Sequence, residues 1–414
     1  MLKKIIHTKL RKYKKIEKFV INNIPIFKLR SFLPYTFQKY NFPTEINSWY
    51  EIWKYLDSQQ EFRVGECFKK LNYLSIDEMN AIESIGKKYS KYSRYFKRIT
   101  IPIGINGMMS NISTIRTLLS FKKKKLSILE IGPGSGMLGL LANHFKIKYT
   151  AFDISCAFSV HMMSLYSFLF KKNFKDYALA PLNSKGIIDD KQYPLTFIPW
   201  WQFLNFDFKL PKYDFIIMNA CFFEIDKKAI HFILNRLGSI NQRQNILVDD
   251  WGSKKYTNIS DEEALIIEKS FNIKKEKINY SKDFFIPNTQ CHFSYILKNK
   301  NTNFNEFKKN LEKRLGFDLK KDVKIIEKKN IFIRILNFII RHIRPGRAKH
   351  NFNQPKVLGY DSVVENNELK KNTANKISFN EFKLRIKKIE HRNGKPCFTE
   401  DELYGYEINS SEHA

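Results

Sequence analysis

Paired cysteines and long apolar runs are both missing from the sequence. The five cysteines among 414 residues are scattered, and none forms a C-x-x-C pair or a zinc-ligand spacing. We interpret them as reduced thiols, which excludes a disulfide framework. No apolar run approaches the roughly 18 residues that a membrane span needs, and the basic N-terminus lacks the apolar stretch of a secretion signal. The expectation is a cytoplasmic protein, either soluble or on the inner membrane surface.

Acidic residues are scarce as well, with 41 Asp and Glu against 72 Lys and Arg and a formal net charge of +31. Such a charge favours an anionic partner, which can be nucleic acid, anionic lipid or an acidic glycan. Lys, Asn and Ile are abundant throughout, however, as a base-composition bias in the gene would produce. Charge alone therefore does not choose the partner.

Glycine is sparse, with 16 residues, yet Gly132, Gly134 and Gly136 fall in one turn. The turn follows an apolar run over 126–131 and precedes an apolar helical segment. This pattern is typical of a buried parallel strand that leads into a helix across a ligand-binding loop. A dinucleotide-binding fingerprint needs its third glycine at the position of Met137, so a pyrophosphate site is the weaker interpretation. Some glycine turns serve only strand-to-helix geometry.

Acidic residues mark the ends of the first two predicted strands. Glu130 lies in the first run, and Asp153 ends a second run over 148–152, seventeen residues after Gly136. A carboxylate at Asp153 can accept both ribose hydroxyls of a nucleoside, as the acid does in doubly wound folds. The alternative is a turn residue or helix N-cap, because Ser155 and a helical pattern follow.

The hydropathy pattern predicts an α/β fold with a doubly wound, mostly parallel sheet of seven strands. The strands are predicted near 126–131, 147–152, 195–199, 213–218, 245–250, 271–278 and 293–298. About 25 residues separate the helix after the second strand from the third strand, and this insertion can shape a substrate pocket.

More candidate residues follow the third, fourth and fifth predicted strands. They are Trp200, Trp201, Asn219, Glu224, Asp249 and Asp250. In open α/β sheets, ligands bind outside the carboxyl ends of the strands, so these positions lie where chemistry is expected. Either tryptophan can stack on an adenine, or pack against the core as strand-end tryptophans often do.

Glu130, the glycine turn and Asp153 together resemble the first two motifs of class I S-adenosylmethionine (SAM)-dependent methyltransferases. SAM carries a nucleoside but no phosphate, which agrees with a loop that departs from the dinucleotide fingerprint. The stretches 197–202, 219–224 and 249–252 are similar, in that order, to a family of sugar O-methyltransferases from bacterial surface-polysaccharide gene clusters.

This resemblance covers about residues 90 to 300. It implies a Rossmann-like sheet whose last two predicted strands form an antiparallel edge, SAM as the cofactor and a sugar or lipid-linked glycan as the methyl acceptor. The residues that it places at the cofactor are Glu130, Gly132, Gly134, Gly136, Asp153, Trp200 and Asn219. An alcohol is a poor nucleophile, so a base must take its proton. Glu224, Asp249 and Asp250 are the catalytic candidates, and neighbouring side chains at a strand end alternate, so one aspartate of the pair should face the ligand.

Other candidates for the base are weaker. The histidines are His161, His231 and His292. His231 falls mid-helix between apolar neighbours, as an ordinary, partly buried histidine does. Glu224 can also be an acid that interacts with a helix dipole. A divalent metal shared by Asp249 and Asp250 is conceivable for this chemistry, but no spacing demands one, so no metal is predicted.

The sequence predicts three regions along the chain. Residues 1–111 form a basic amphipathic helix and a helical cap, with a turn-rich stretch over 92–110 against the active site. The methyltransferase domain spans 112–300. Residues 301–414 form a basic, partly disordered extension, which includes an amphipathic helix over 330–344 and a short helix over 377–391. The N-terminal helix can lie on an anionic membrane surface, bind RNA phosphates or pack on its own domain. The helix over 330–344 can lie in a membrane interface or dock on the protein itself.

Two other functions compete with sugar O-methylation. An RNA methyltransferase suits the charge, although the fourth strand lacks the Asn-Pro-Pro-aromatic turn of amino-methylating nucleic-acid enzymes; ribose methylation does not need that turn. The other is a SAM-binding interaction module without turnover.

Overall fold

The computed structural model describes residues 2–23, 46–48, 51–52, 56, 74–93, 105–120, 125–187, 193–219, 221, 233, 236–237, 245–250, 293–297, 376–387 and 389. The helices are α1 Leu2–Asn23, α2 Ile76–Ser93, α3 Ile105–Leu119, α4 Met137–His144, α5 Cys156–Phe170, α6 Trp200–Phe203 and α7 Phe379–Lys387. The strands are β1 Leu74–Ser75, β2 Ser127–Ile131, β3 Lys148–Asp153, β4 Phe174–Asp176, β5 Leu195–Pro199, β6 Phe215–Asn219, β7 Asn245–Asp250, β8 Phe293–Leu297 and β9 Lys376–Ile377.

The main sheet has the order β4-β5-β3-β2-β6-β7-β8 within the described ranges. All neighbours are parallel except β7 and β8, which are antiparallel. The predicted mostly parallel α/β sheet is therefore confirmed, but its strand set differs from the prediction. The strand β4 is too short to give a hydropathy pattern, and the predicted strand over 271–278 lies outside the described residues.

The order of the strands reverses next to β2. From β2 the chain goes to β3 and β5 on one side, and then returns to β6 and β7 on the other side. The crevice between the carboxyl ends of β2 and β6 is the topological switch point, where doubly wound folds bind their ligands. The apolar residues of β2 and β6 are buried, as strands covered on both faces require.

Helix α1 packs against α5 through one face. Leu10, Tyr13 and Val20 are buried there, and the ring of Tyr13 lies 4.8 Å from that of Trp201. The basic residues Arg11 and Lys15 face outward. The apolar face of this amphipathic segment therefore docks on the protein's own domain, as one of the three alternatives predicted.

Helices α2 and α3 form a cap that is completed by the C-terminal segment. β1 pairs antiparallel with β9, and Arg385 of α7 binds the carboxylate of Glu83 on α2 at 3.0 Å. Ile386 and Ile389 are buried against the cap. The predicted helix over 377–391 thus exists as α7, but it belongs to the cap. The rest of the predicted C-terminal extension, with the amphipathic helix over 330–344, lies outside the described residues.

The predicted domain boundary between 111 and 112 falls inside α3. This helix contacts α4, which follows the glycine turn, as well as α2 of the cap. It therefore links the cap to the sheet, and a boundary drawn at a change in sequence pattern misses that role. Among the described helices, none is long and apolar enough to cross a bilayer.

Candidate active site

The candidate residues form one row across the carboxyl edge of the sheet. The register pairs Ile131 with Phe152 and Glu130 with Ile217, which puts the position of Gly132 next to those of Asp153 and Asn219. The row continues from Asn219 to Asp249 on β7. With about 4.8 Å between strands, Asp153 and Asn219 lie roughly 10 Å apart on either side of the glycine turn.

The three glycines of the turn adopt left-handed backbone conformations, with φ of 68° at Gly132, 54° at Gly134 and 76° at Gly136. Only glycine adopts this conformation without steric cost. A Cβ on Gly132 would also lie 2.9 Å from Cβ of Cys221. The sequence at this turn is therefore dictated by its backbone, which winds tightly beside the crevice.

Side chains from α5 hold the glycine turn in place. The hydroxyl of Tyr166 donates to the carbonyl oxygen of Gly136 at 2.7 Å. His161 forms a hydrogen bond with the backbone of Ser135, and burial lowers the pKa of its imidazole to about 3. A neutral, buried histidine that fixes a loop supports the structural interpretation of His161 over a role as the base.

Asp153 lies at the end of β3 beside the turn, and it is 5% exposed. Its Oδ1 accepts a hydrogen bond from the backbone N–H of Ser155 at 2.6 Å. Burial raises the pKa of Asp153 to about 7, while the backbone amides of Ser155, Gly134 and Ile154 act in the opposite direction. The carboxylate is therefore positioned by the turn, and it titrates near neutral pH.

Glu130 lies beneath the turn rather than at its open side. It is buried, and it accepts a hydrogen bond from the hydroxyl of Tyr149 on β3. Burial raises the pKa of Glu130 to about 8, against the opposing effect of Tyr149. The structure thus gives Glu130 a role in supporting the turn, and its contact with a cofactor stays a prediction.

The raised pKa of Glu130 predicts a pH-dependent stability. Between its ordinary pKa of 4.5 and about 8, the folded state holds a proton that the unfolded state has lost. The free energy of unfolding therefore falls as pH rises through this window. At about 1.4 kcal/mol per pKa unit, the loss over this window is on the order of 5 kcal/mol.

Urea unfolding at pH 5, 7 and 9 tests this expectation. The variant Glu130→Gln keeps an acceptor for Tyr149 but carries no titrating group, so its stability should fall much less between pH 5 and pH 9. The remaining slope is expected to come partly from Asp153, whose pKa is raised in the same direction. An identical pH slope in the wild type and the variant would contradict the assignment.

Trp200 packs against residues of the protein itself. It is 1% exposed, and its Nε1 donates to the carboxylate of Glu17 on α1 at 3.0 Å. Its ring also contacts Trp201 edge to face. The structure favours the packing alternative for Trp200, because α1 covers a strand end that the local sequence leaves open, and stacking on adenine stays a prediction. The packing alternative applies to Trp201 too, which lies against Tyr13.

Asn219 ends β6 at the switch point and is 7% exposed. Its Nδ2 donates to Oδ1 of Asn111 at 3.0 Å and lies 3.5 Å from Oγ1 of Thr114, both on α3. Its own Oδ1 is buried without a hydrogen-bond partner in the described part of the chain. A buried acceptor without a hydrogen bond lowers the stability of the folded state, unless another group, such as a ligand, donates to it.

The catalytic candidates are placed only in part. Asp249 and Asp250 are the last two residues of β7, and Asp249 lies beside Asn219 in the register. Glu224, His231 and His292 lie outside the described residues. The structure thus brings the backbone of Asp249 to the same edge as Asp153, and the identity of the base stays a prediction.

Neither a protein-family model nor a curated protein matches the sequence. Its solved structural neighbours include methyltransferases. Phosphoethanolamine N-methyltransferase 2 of Haemonchus contortus, crystallised with phosphomonomethylethanolamine and S-adenosylhomocysteine, is 12% identical, and the match covers 62% of this chain and 47% of that one at a TM-score of 0.23. The plantazolicin methyltransferase BamL is 17% identical, with 57% of this chain and 88% of that one covered at 0.29.

The mitomycin 7-O-methyltransferase MmcR is 12% identical, with 51% of this chain and 50% of that one covered at a TM-score of 0.24. The chain thus spans about half the length of this enzyme and of the Haemonchus enzyme. At these scores the similarity carries no argument, so the fold is assigned from strand order and direction.

Sequence reasoning misses two sets of residues at the site. Asn111 and Thr114 bind Asn219 from α3, about a hundred positions away in the chain, and His161 and Tyr166 hold the glycine turn from α5. A single sequence carries no signal for the first set. For the second, the available signal was the pair of polar groups at His161 and Tyr166, five positions apart on a mostly apolar helix.

Proposed function

We propose that the chain is a SAM-dependent methyltransferase. The observation that carries this proposal is the row at the switch point. A buried carboxylate, a left-handed glycine turn and a buried amide oxygen, which has no partner among the residues that the structure describes, follow one another there. A cofactor with a ribose, no phosphate and an amino-acid end has groups that match this row. When bound, SAM supplies a methyl group on a sulfonium that an oxygen nucleophile can accept.

The residues have separable tasks under this proposal. Asp153 accepts hydrogen bonds from the ribose hydroxyls, as an acid at the end of the second strand does in doubly wound folds. The turn at Gly134 gives the cofactor close access to the backbone. Asp249, in the same row, takes the proton of the acceptor hydroxyl, with Glu224 as the competing candidate.

We further propose that the acceptor is a hydroxyl of a sugar in a bacterial surface polysaccharide or its lipid-linked precursor. The support is the resemblance of 219–224 and 249–252 to sugar O-methyltransferases, at strand ends that belong to the candidate site. An RNA acceptor and a binding module without turnover remain the alternatives.

Transfer of tritium from methyl-labelled SAM tests the three functions together. The purified protein is incubated with cell-envelope glycan and with total RNA, each digested and counted separately. Label in the glycan fraction is expected. Label in RNA would replace the sugar proposal, and binding of SAM without label in either fraction would favour the interaction module.

The outward face of α1 supports a partner proposal. Arg11, Lys12, Lys15 and Lys18 are exposed along it, and Phe19 on the same side is 54% exposed. The opposite, apolar face is used against α5, so the helix cannot insert deeply into a bilayer. We propose that this basic face binds an anionic membrane surface by charge, with Phe19 as a shallow anchor.

Co-sedimentation with phosphatidylglycerol vesicles tests this face. Each cation near an anionic surface contributes about 1 kcal/mol, so the triple change Arg11→Gln, Lys15→Gln, Lys18→Gln should weaken binding by roughly 100-fold at low salt. Three exposed lysines lie at the amino ends of the strands, away from α1, and serve as a comparison: Lys125, Lys146 and Lys212. Their triple change to glutamine removes equal charge and should have little effect. If both triple variants lose vesicle binding equally, the face of α1 is not the membrane site. If the wild-type protein binds RNA but not the vesicles, the membrane proposal is excluded.

A further inference from the structure

The orientation of the Asn219 amide is fixed by hydrogen bonds that begin at a backbone carbonyl. The carbonyl oxygen of Gly107 can only accept, and Nδ2 of Asn111 donates to it at 2.7 Å. The amide of Asn111 must therefore present its Oδ1 on the other side, where Nδ2 of Asn219 donates to it at 3.0 Å. Turning either amide over would place two donors or two acceptors against each other.

These hydrogen bonds leave only the Oδ1 acceptor of Asn219 for a ligand. Its Nδ2 is occupied by α3, through Asn111 and the longer contact to Thr114. Its Oδ1 is buried and has no partner among the described residues. A ligand at this point must therefore supply a hydrogen-bond donor, because an acceptor would meet an oxygen that cannot donate.

The beginning of α3 is also fixed against the glycine turn. A Cβ on Gly107 would lie 2.8 Å from Cγ of Met137, the first residue of α4. Asn111 follows one helical turn later. The helix that orients Asn219 is therefore in contact with the same turn that is expected to hold the cofactor.

We propose that Asn111 is a positioning residue that directs the Oδ1 of Asn219 toward the ammonium group of the cofactor's amino-acid end. The inference rests on the proposed function. Asp153, at the ribose end, lies roughly 10 Å away across the glycine turn, which leaves the Asn219 side of the row for the opposite end of SAM. An ammonium group is a donor only, and it suits an isolated carbonyl oxygen.

Calorimetric titration with two ligands tests the proposal. S-adenosylhomocysteine carries the amino-acid end, and 5′-methylthioadenosine lacks it while keeping the nucleoside. Asn111→Leu should weaken S-adenosylhomocysteine binding by about tenfold or more, the usual worth of a hydrogen bond to a charged group, and leave 5′-methylthioadenosine binding unchanged. Asn219→Leu should show the same selective loss.

Thr117→Ala provides a control for damage to the helix, since the Thr117 hydroxyl donates at 2.9 Å to Ser113 within α3. It should leave the affinities for both ligands unchanged. If Asn111→Leu weakens both ligands by the same factor, or weakens neither, the proposal is overturned. Failure of the wild type to bind either ligand would instead overturn the proposed function, and this inference with it.

Discussion

Asp153→Asn is expected to weaken S-adenosylhomocysteine binding by about 100-fold. A carboxylate that accepts two ribose hydroxyls makes charge-assisted hydrogen bonds, and loss of the charge costs about 3 kcal/mol over the pair. Asparagine keeps an oxygen for the N–H of Ser155, so the local turn survives. Isothermal titration at pH 8 measures the effect.

The pH dependence gives the same variant a second signature. Because the pKa of Asp153 in the free protein is raised to about 7, binding should weaken as pH falls from 8 to 6 and the carboxylate takes up a proton. The asparagine variant should show a nearly flat profile over this range. A pH profile that is the same for the wild type and the variant would remove Asp153 from the ribose site.

Gly134→Arg should abolish binding altogether, because it combines a φ of 54° with a long side chain on a buried loop. For Asp153→Asn, the matched control is Asp214→Asn, which makes the same chemical change far from the glycine turn. The Asp214 carboxylate accepts from the N–H of Ser127 at 2.9 Å, at the amino end of β2. Its loss should lower stability and leave the cofactor's Kd unchanged. Normal affinity in both the Gly134 and Asp153 variants would exclude cofactor binding at this turn.

Asp249→Asn is expected to lower kcat by about 10²- to 10⁴-fold, the usual contribution of a positioned general base. S-adenosylhomocysteine affinity should stay unchanged, because a base contacts the acceptor rather than the nucleoside. Release of tritiated product with the glycan fraction as acceptor gives the rate. Asp250→Asn is the matched control, since adjacent side chains in a strand point to opposite faces.

Glu224→Gln separates the two base candidates. A large loss of kcat in this variant, with a normal rate in Asp249→Asn, transfers the role to Glu224. Normal turnover in both variants would show that the base lies elsewhere. The row at the carboxyl edge favours Asp249, because its register places it beside Asn219.

The sequence is sufficient for those parts of the site that depend on local pattern. The strand before Gly132, the left-handed turn and the acid at Asp153 are all encoded within about 30 consecutive residues, and the structure contains each of them. Parallel strands buried on both faces give continuous apolar runs, which hydropathy detects well. The mostly parallel sheet was therefore predictable.

Most of what the sequence fails to predict depends on contacts between distant parts of the chain. Trp200 is covered by Glu17 from 183 positions away, and Asn219 is oriented by Asn111 from 108 positions away. Neither partner has a periodic or motif signature, so a strand-end tryptophan gives the same local signal whether it faces a ligand or a helix. The short strand β4 was not predicted for a local reason, since its three residues are too few to give a hydropathy pattern.

The pairing of β1 with β9 affects the order in which the chain is built. Leu74 pairs with Ile377, so these partners are about 300 residues apart. During synthesis the ribosome completes every described strand of the main sheet, up to Leu297, before Ile377 has been added. The cap can acquire its last strand and α7 only afterwards. Because α3 contacts both α2 and α4, the helix beside the crevice packs on a cap that stays incomplete until β9 and α7 have been synthesised.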